Sequence, residues 1–156
     1  MLEETLAKQP IRICSYCLMP NHRHVVGEGH LYQGRYKSFP VETDEYFYQV
    51  ARYVERNPLR ANLVRRSEEW RWSSLWRRTF GTAEQQSLLS EWRLPSSTTW
   101  TAHVNQPQTE KEVAAIRRSV LRGQPFGSAD WVDRTAKCLG LESTLRARGR
   151  PRKSDE

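Results

Sequence analysis

The run "TDEYFYQVARYVERNP", residues 43–58, constrains the fold of this chain more than any other stretch. Tyr46, Val50, Tyr53 and Asn57 fall on one helical stripe, and Phe47, Ala51 and Val54 on its neighbour. Thr43 is placed to cap the helix, with Asp44 and Glu45 favourable in its first turn. Pro58 disfavours helical backbone at the residue before it, so the helix over 43–57 ends or kinks there. "LRANLV" then extends it by a short turn. Two more helices carry their own start and stop signals. Thr109 opens "TEKEVAAIRRSVLRG", closed by Gly123, with Val113, Ile116 and Val120 at helical spacing. Ser128 opens "SADWVDRTAKCLG", closed by Gly140.

The first forty residues follow a different period. "IRICSYCLM", residues 11–19, alternates like a strand. Pro20-Asn21 is turn chemistry. "HRHVV" reads as a second strand, Gly27-Glu28-Gly29 turns the chain, and "HLYQGRYKSFPV" is extended, with a bulge or close backbone approach at Gly34. "EEWRWSSLWRR", residues 68–78, reads as a short helix docked by its tryptophans. Residues 81–108 read as a linker with one helical piece around 84–92. These elements predict an α+β fold: an antiparallel sheet with helices on one face, plus a helical C-terminal region and a basic tail. The boundaries are 1–80 for the first unit, 81–108 for the linker and 109–156 for the helical region with its tail.

Charge narrows the partners. The net charge is +7, from 25 basic against 18 acidic residues, and twenty of the basic residues are arginines. Guanidinium forks match phosphate oxygens in pairs, so this surplus points to nucleic acid, with an ordinary solvated basic face as the alternative. Three cysteines, an odd number, suit a reducing compartment. Cys14 and Cys17 are spaced CxxC, but on a strand they point to opposite faces and do not converge on a metal. No basic segment leads into an apolar run and no apolar stretch is long enough to span a bilayer, so a cytoplasmic protein is expected.

His22 and His24 share one face of the second strand, roughly 6–7 Å apart by the strand rise. They read either as ligands of one divalent ion or as ordinary polar strand residues. Tyr53 and Asn57, one helical turn apart, can be read as a nucleophile for a phosphodiester and an amide ligand beside it. Spacing alone favours the plainer reading, an amphipathic core-edge tyrosine and a helix-ending amide.

The motifs "LMPNHRHVV", "GHLYQGRYKSFPV", "YVERNPLRANLV" and "WRWSSLW", in that order, resemble the HUH single-tyrosine transposases of bacterial insertion sequences, above all the REP-associated tyrosine transposases. "RGQPFG" and "TLRARGRPRK" extend the resemblance to the C-terminus. It implies a ferredoxin-like sheet, incomplete here, and a transposase that cleaves and rejoins single-stranded, hairpin-forming or repetitive palindromic DNA. By this resemblance Tyr53 is the nucleophile that forms a 5′-phosphotyrosine link. His22, His24 and Asn57 hold Mg²⁺ or Mn²⁺. Relatives act as monomers or homodimers, and the sequence leaves both open. Two departures stand out. Arg23 lies between the histidines, where the family carries a bulky apolar residue, and a buried guanidinium there needs a partner or a path to water. Gly27-Glu28-Gly29 takes the place of a longer, helix-bearing segment, and the family's first strand and helix have no counterpart before Ile11, so a shortened catalytic unit is expected.

The expected DNA contacts are Arg35, Lys37, Arg52, Arg56 and Arg60, with Arg148, Arg150, Arg152 and Lys153 of the tail "RGRPRK", which is like an AT-hook core. Trp70, Trp72 and Trp76 interleave with Arg71, Arg77 and Arg78. That pattern suits base stacking, but core anchoring is the stronger expectation for the tryptophans. Two rivals to the transposase remain: a non-catalytic DNA-binding remnant, and a regulator that binds duplex DNA through its C-terminal helices.

Overall fold

The chain was analysed as a computed structural model, which describes residues 12–19, 38–43, 45–91 and 97–146. Helix α1 spans Glu45–Glu55 and α2 spans Asn57–Arg60. Pro58 sits in the first turn of α2, where its missing amide costs nothing, so the expected break separates two helices. Tyr48, Ala51, Arg52 and Glu55 form the inward face of α1. That face shares Ala51 with the Phe47 stripe but turns away from the Tyr46 stripe, and it carries two ionisable groups.

A 3-10 turn at Ser67–Glu69 leads to α3, Ser74–Phe80. The Ser73 hydroxyl caps α3 by accepting from the Trp76 amide at 3.1 Å. Helices α4, Ala83–Ser87, and α5, Ser97–Asn105, follow. Residues expected as a linker therefore contain two helices. Trp100 and Val104 of α5 pack with Ala51 and Leu75 in the core, and Tyr48 lies against Trp100 with ring centroids 6.0 Å apart. The polar composition of 81–108 hid this, because one tryptophan and one valine supply most of the apolar surface that docks α5.

Helices α6, Glu110–Arg122, α7, Ala129–Leu139, and α8, Glu142–Leu145, follow among the described residues. Thr109 and Glu112 form a reciprocal capping box, and Gly123 closes α6 with φ of 68°. The start of α7 is tied to the segment before α1. The Ser128 amide donates to Glu42 Oε2 at 2.6 Å and the Glu42 amide to the Phe126 carbonyl at 2.9 Å. Gly127 fits between them because a Cβ there would lie 2.6 Å from both Glu42 Oε2 and Trp131 Cε3.

The expected antiparallel sheet is not found. Among the described residues there is no β-strand, only an antiparallel bridge between Cys17 and Ser73 and a parallel one between Val41 and Phe126. Residues 12–19 are extended, but their backbone partners are not a neighbouring strand. The Tyr16 carbonyl accepts from the Ser74 amide at the start of α3, and the Ile13 carbonyl accepts from the Ser90 amide. Trp70 Nε1 donates to the Leu18 carbonyl, and Arg78 to that of Cys14. Alternation records that a segment has two faces, not which groups will satisfy its backbone. The fold described here is helical, with this segment laid across α3.

Glu55 is fully buried at the centre of this arrangement. Its Oε1 lies 2.5 Å from Ser74 Oγ and its Oε2 accepts from Trp100 Nε1 at 2.8 Å. Ser74 Oγ also faces the Tyr16 carbonyl at 3.1 Å and receives the Tyr16 amide at 2.9 Å. One hydroxyl hydrogen cannot serve two acceptors. A protonated Glu55 resolves the conflict by donating to Ser74 Oγ, which frees the hydroxyl for Tyr16. Burial pushes the Glu55 acidity in that direction, raising its pKa against the opposing hydrogen bonds and the charge of Arg78. Burial and Glu55 together push the Cys17 thiol up to about 12.

Candidate nucleic-acid interface

Arg52, Arg56 and Arg60 recur every four residues and extend from α1 across the break at Pro58. Each reaches toward the chain that leaves α5. Arg52 Nη2 donates to the Gln106 and Pro107 carbonyls at 2.8 and 3.1 Å. Arg56 Nη1 donates to the Val104 and Asn105 carbonyls at 2.9 and 2.6 Å. Positive charge on the last carbonyls of a helix also complements its dipole. Arg60 Nη2 donates to Gln108 Oε1 at 2.9 Å and to the Tyr53 carbonyl at 3.1 Å.

This ladder divides the three arginines by role. Arg52 is buried, with its guanidinium turned to backbone carbonyls. Arg56 and Arg60 are half-buried and line a groove of about 1210 Å³ against α6 and α8. Arg117, Arg118 and Arg122 line it from α6, and Glu110 is the one acid on its wall among the described residues. Arg118 and Arg122 also line an adjoining hollow of about 610 Å³, so the basic surface continues past the groove. Burial lowers the pKa of Arg60; Tyr53 opposes this, while Arg117 and Arg56 lower it further. A guanidinium still remains charged at neutral pH, so mutually repelling cations converge where an anion would relieve them.

Tyr53 stands at the edge of this charge. The Arg60 guanidinium lies 4.2 Å from the centre of its ring, a cation–π contact. Asn57 Oδ1 accepts from Arg60 Nη1 at 3.3 Å. The structure thus brings Tyr53, Asn57 and Arg60 together, but the amide oxygen expected to ligate a metal already faces a cation. A divalent ion at Asn57 would have to displace Arg60, so the amide as placed does not fit that role. Among the described residues no group of three or more His, Cys, Asp and Glu side chains converges as a metal site.

His22, His24, Arg23, Arg35 and Lys37 lie outside the described residues, as do Arg148, Arg150, Arg152 and Lys153. Arg117, Arg118 and Arg122 were not singled out from the sequence. Their signal was present in "AIRRSVLRG", where Arg118 and Arg122 lie away from the stripe of Val113, Ile116 and Val120 and Arg117 borders it. No helix among the described residues is long and apolar enough to cross a membrane. No protein-family description, characterised protein or solved structure matches this chain.

Proposed function

We propose that this protein binds single-stranded DNA along the arginine groove and cleaves and rejoins it through Tyr53, as the transposases its motifs resemble do. The observation that carries this reading is the shared position of Arg60, which touches the tyrosine ring and lines the groove. A phosphate held by Arg56, Arg60 and Arg117 would lie close to the phenol that this reading makes the nucleophile. The Tyr53 oxygen gives up its proton and bonds to phosphorus as the bond to the 3′-oxygen breaks, and the 3′-oxygen takes up a proton. The reverse attack by a 3′-hydroxyl restores the strand and the free tyrosine. Mg²⁺ or Mn²⁺, where bound, would polarise the phosphoryl oxygen. The resemblance assigns that ion to His22, His24 and Asn57, and the Arg60 hydrogen bond to Asn57 Oδ1 stands against the amide's share.

The second reading, a DNA-binding protein without strand transfer, is favoured by the same contact. Arg60 covers one face of the Tyr53 ring and occupies Asn57 Oδ1, an arrangement suited to holding DNA rather than to metal chemistry. The two readings part on one experiment. Single-stranded hairpin DNA is incubated with the protein and Mn²⁺ or Mg²⁺, then separated on a denaturing gel. A protein–DNA adduct that disappears in Tyr53→Phe supports strand transfer. Gel retardation under native conditions, with no adduct at any metal concentration, leaves the binding protein.

A further inference from the structure

The pattern of "WRWSSLWRRTF" suggests tryptophans that anchor the core. The buried residues of this segment are instead Ser73, Ser74 and Leu75. Trp72 is 58% exposed and Phe80 59%, and Leu18, whose amide bonds to the Trp72 carbonyl, is 55% exposed. Trp76 and Phe80, four residues apart, share one side of α3, and Trp72 is exposed in the turn that leads into it. The Trp76 and Phe80 ring centroids are 6.3 Å apart. The Arg71 guanidinium already lies over the Trp76 ring, 5.8 Å from its centre.

Large exposed rings need a reason, and the charge around these selects one. Arg71 is exposed beside them and Arg65 on the preceding turn, where Arg66 is paired with Glu68. Rings beside arginines suit a protein interface as well, so the selection rests on the net charge of +7 and the arginine groove: single-stranded nucleic acid takes both a flat ring for its base and a cation for its phosphate. Resting on the nucleic-acid reading above, we propose that the Trp72, Trp76 and Phe80 edge of α3 is a stacking platform for the bases of a single strand. Arg71 is the residue that meets the adjoining phosphate. The platform is separate from the arginine groove: it selects unpaired bases, while the groove binds backbone of any sequence.

The test compares the full-length protein with Trp72→Ala/Phe80→Ala, and with Arg117→Ala/Arg118→Ala in the groove, by fluorescence anisotropy. The probes are labelled oligothymidylate and a mixed-sequence duplex, and circular dichroism checks that each variant is folded. The platform predicts roughly a tenfold or greater loss of oligothymidylate affinity in the aromatic variant, with duplex affinity held. Trp72→Tyr/Phe80→Tyr should restore most of it, and quenching of tryptophan fluorescence by oligothymidylate should shrink in the alanine variant. Unchanged oligothymidylate affinity in the aromatic variant, alongside a loss in the groove variant, overturns the platform and leaves the groove. Equal loss on both probes also overturns it. A self-associating wild type that the aromatic variant renders monomeric, without change in DNA affinity, would make the patch a contact between copies. A wild type that binds neither probe sinks the nucleic-acid reading itself.

Discussion

At the scale of single residues, Glu55 shows how a charged side chain becomes part of a core. The N-terminal segment, α3 and α5 converge on it through Ser15, Ser74, Arg78 and Trp100. Its raised pKa has a defined consequence for stability. Between the ordinary glutamate value, about 4.3, and the higher native value, the folded protein binds more protons than the unfolded chain. Stability is therefore fullest below the ordinary value and falls as pH rises through that window. Glu55→Gln mimics the protonated acid, with Nε2 donating to Ser74 Oγ and Oε1 accepting from Trp100. It should retain stability at low pH and flatten the decline above it, read from denaturant midpoints across the pH range. Glu55→Ala leaves the Trp100 Nε1 donor unpaired and removes the bond to Ser74 Oγ, and should cost about 2–3 kcal/mol at low pH, with a smaller difference from the wild type as pH rises. A decline that persists unchanged in Glu55→Gln would show that another group governs it. Nothing in the spacing of "YVERNP" marks this glutamate as internal, since its partners come from residues 15, 74 and 100.

Among the elements, the short-range signals were the most legible. Thr109 and Gly123 bound α6 as expected, and Gly140 follows α7, because caps depend on a few neighbouring residues. The anchoring of α7 was not legible, since it depends on Glu42, far away in sequence. Gly127→Ala places a methyl group against Glu42 and Trp131 and should destabilise the fold by about 1–3 kcal/mol. Thr109→Ala should cost about 1 kcal/mol by removing one cap. Thermal melts followed at 222 nm separate the two. An alanine at 127 that melts with the wild type would show that Glu42 does not seat this turn. Residues 12–19 mark the opposite limit. Their alternation is real, yet a strand needs a second strand, and the partners here are the start of α3 with the turn before it, the Ser90 amide and two long side chains.

For the whole molecule, the distribution of arginines matters more than their number. Arg52, Arg56 and Arg60 fasten α1 to the end of α5, and that fastening sets α6 beside them to form the groove. Affinity for single-stranded DNA should fall steeply with salt. Each phosphate left without its cation lowers the slope of log K against log salt by about 0.7. Arg117→Ala/Arg118→Ala should therefore reduce that slope by about 1.4 if each arginine meets one phosphate. Arg52→Ala should instead lower the melting temperature and change the slope little, because its guanidinium faces carbonyls. An Arg52 variant that melts like the wild type but loses salt dependence would reverse this division of roles.

Local chemistry in the sequence was enough to determine three capped or proline-bounded helices and a basic, arginine-dominated surface. It also placed Tyr53 and Asn57 one turn apart on one helical face through spacing alone, while the meeting of Arg60 with both came from the structure. Only the tertiary structure decided which charges are buried, which rings are exposed and which arginines face the groove. It also decided that the described N-terminal segment docks on α3 instead of entering a sheet. These outcomes depend on partners distant in sequence, and burial and hydrogen bonding reward a residue only once those partners are in place.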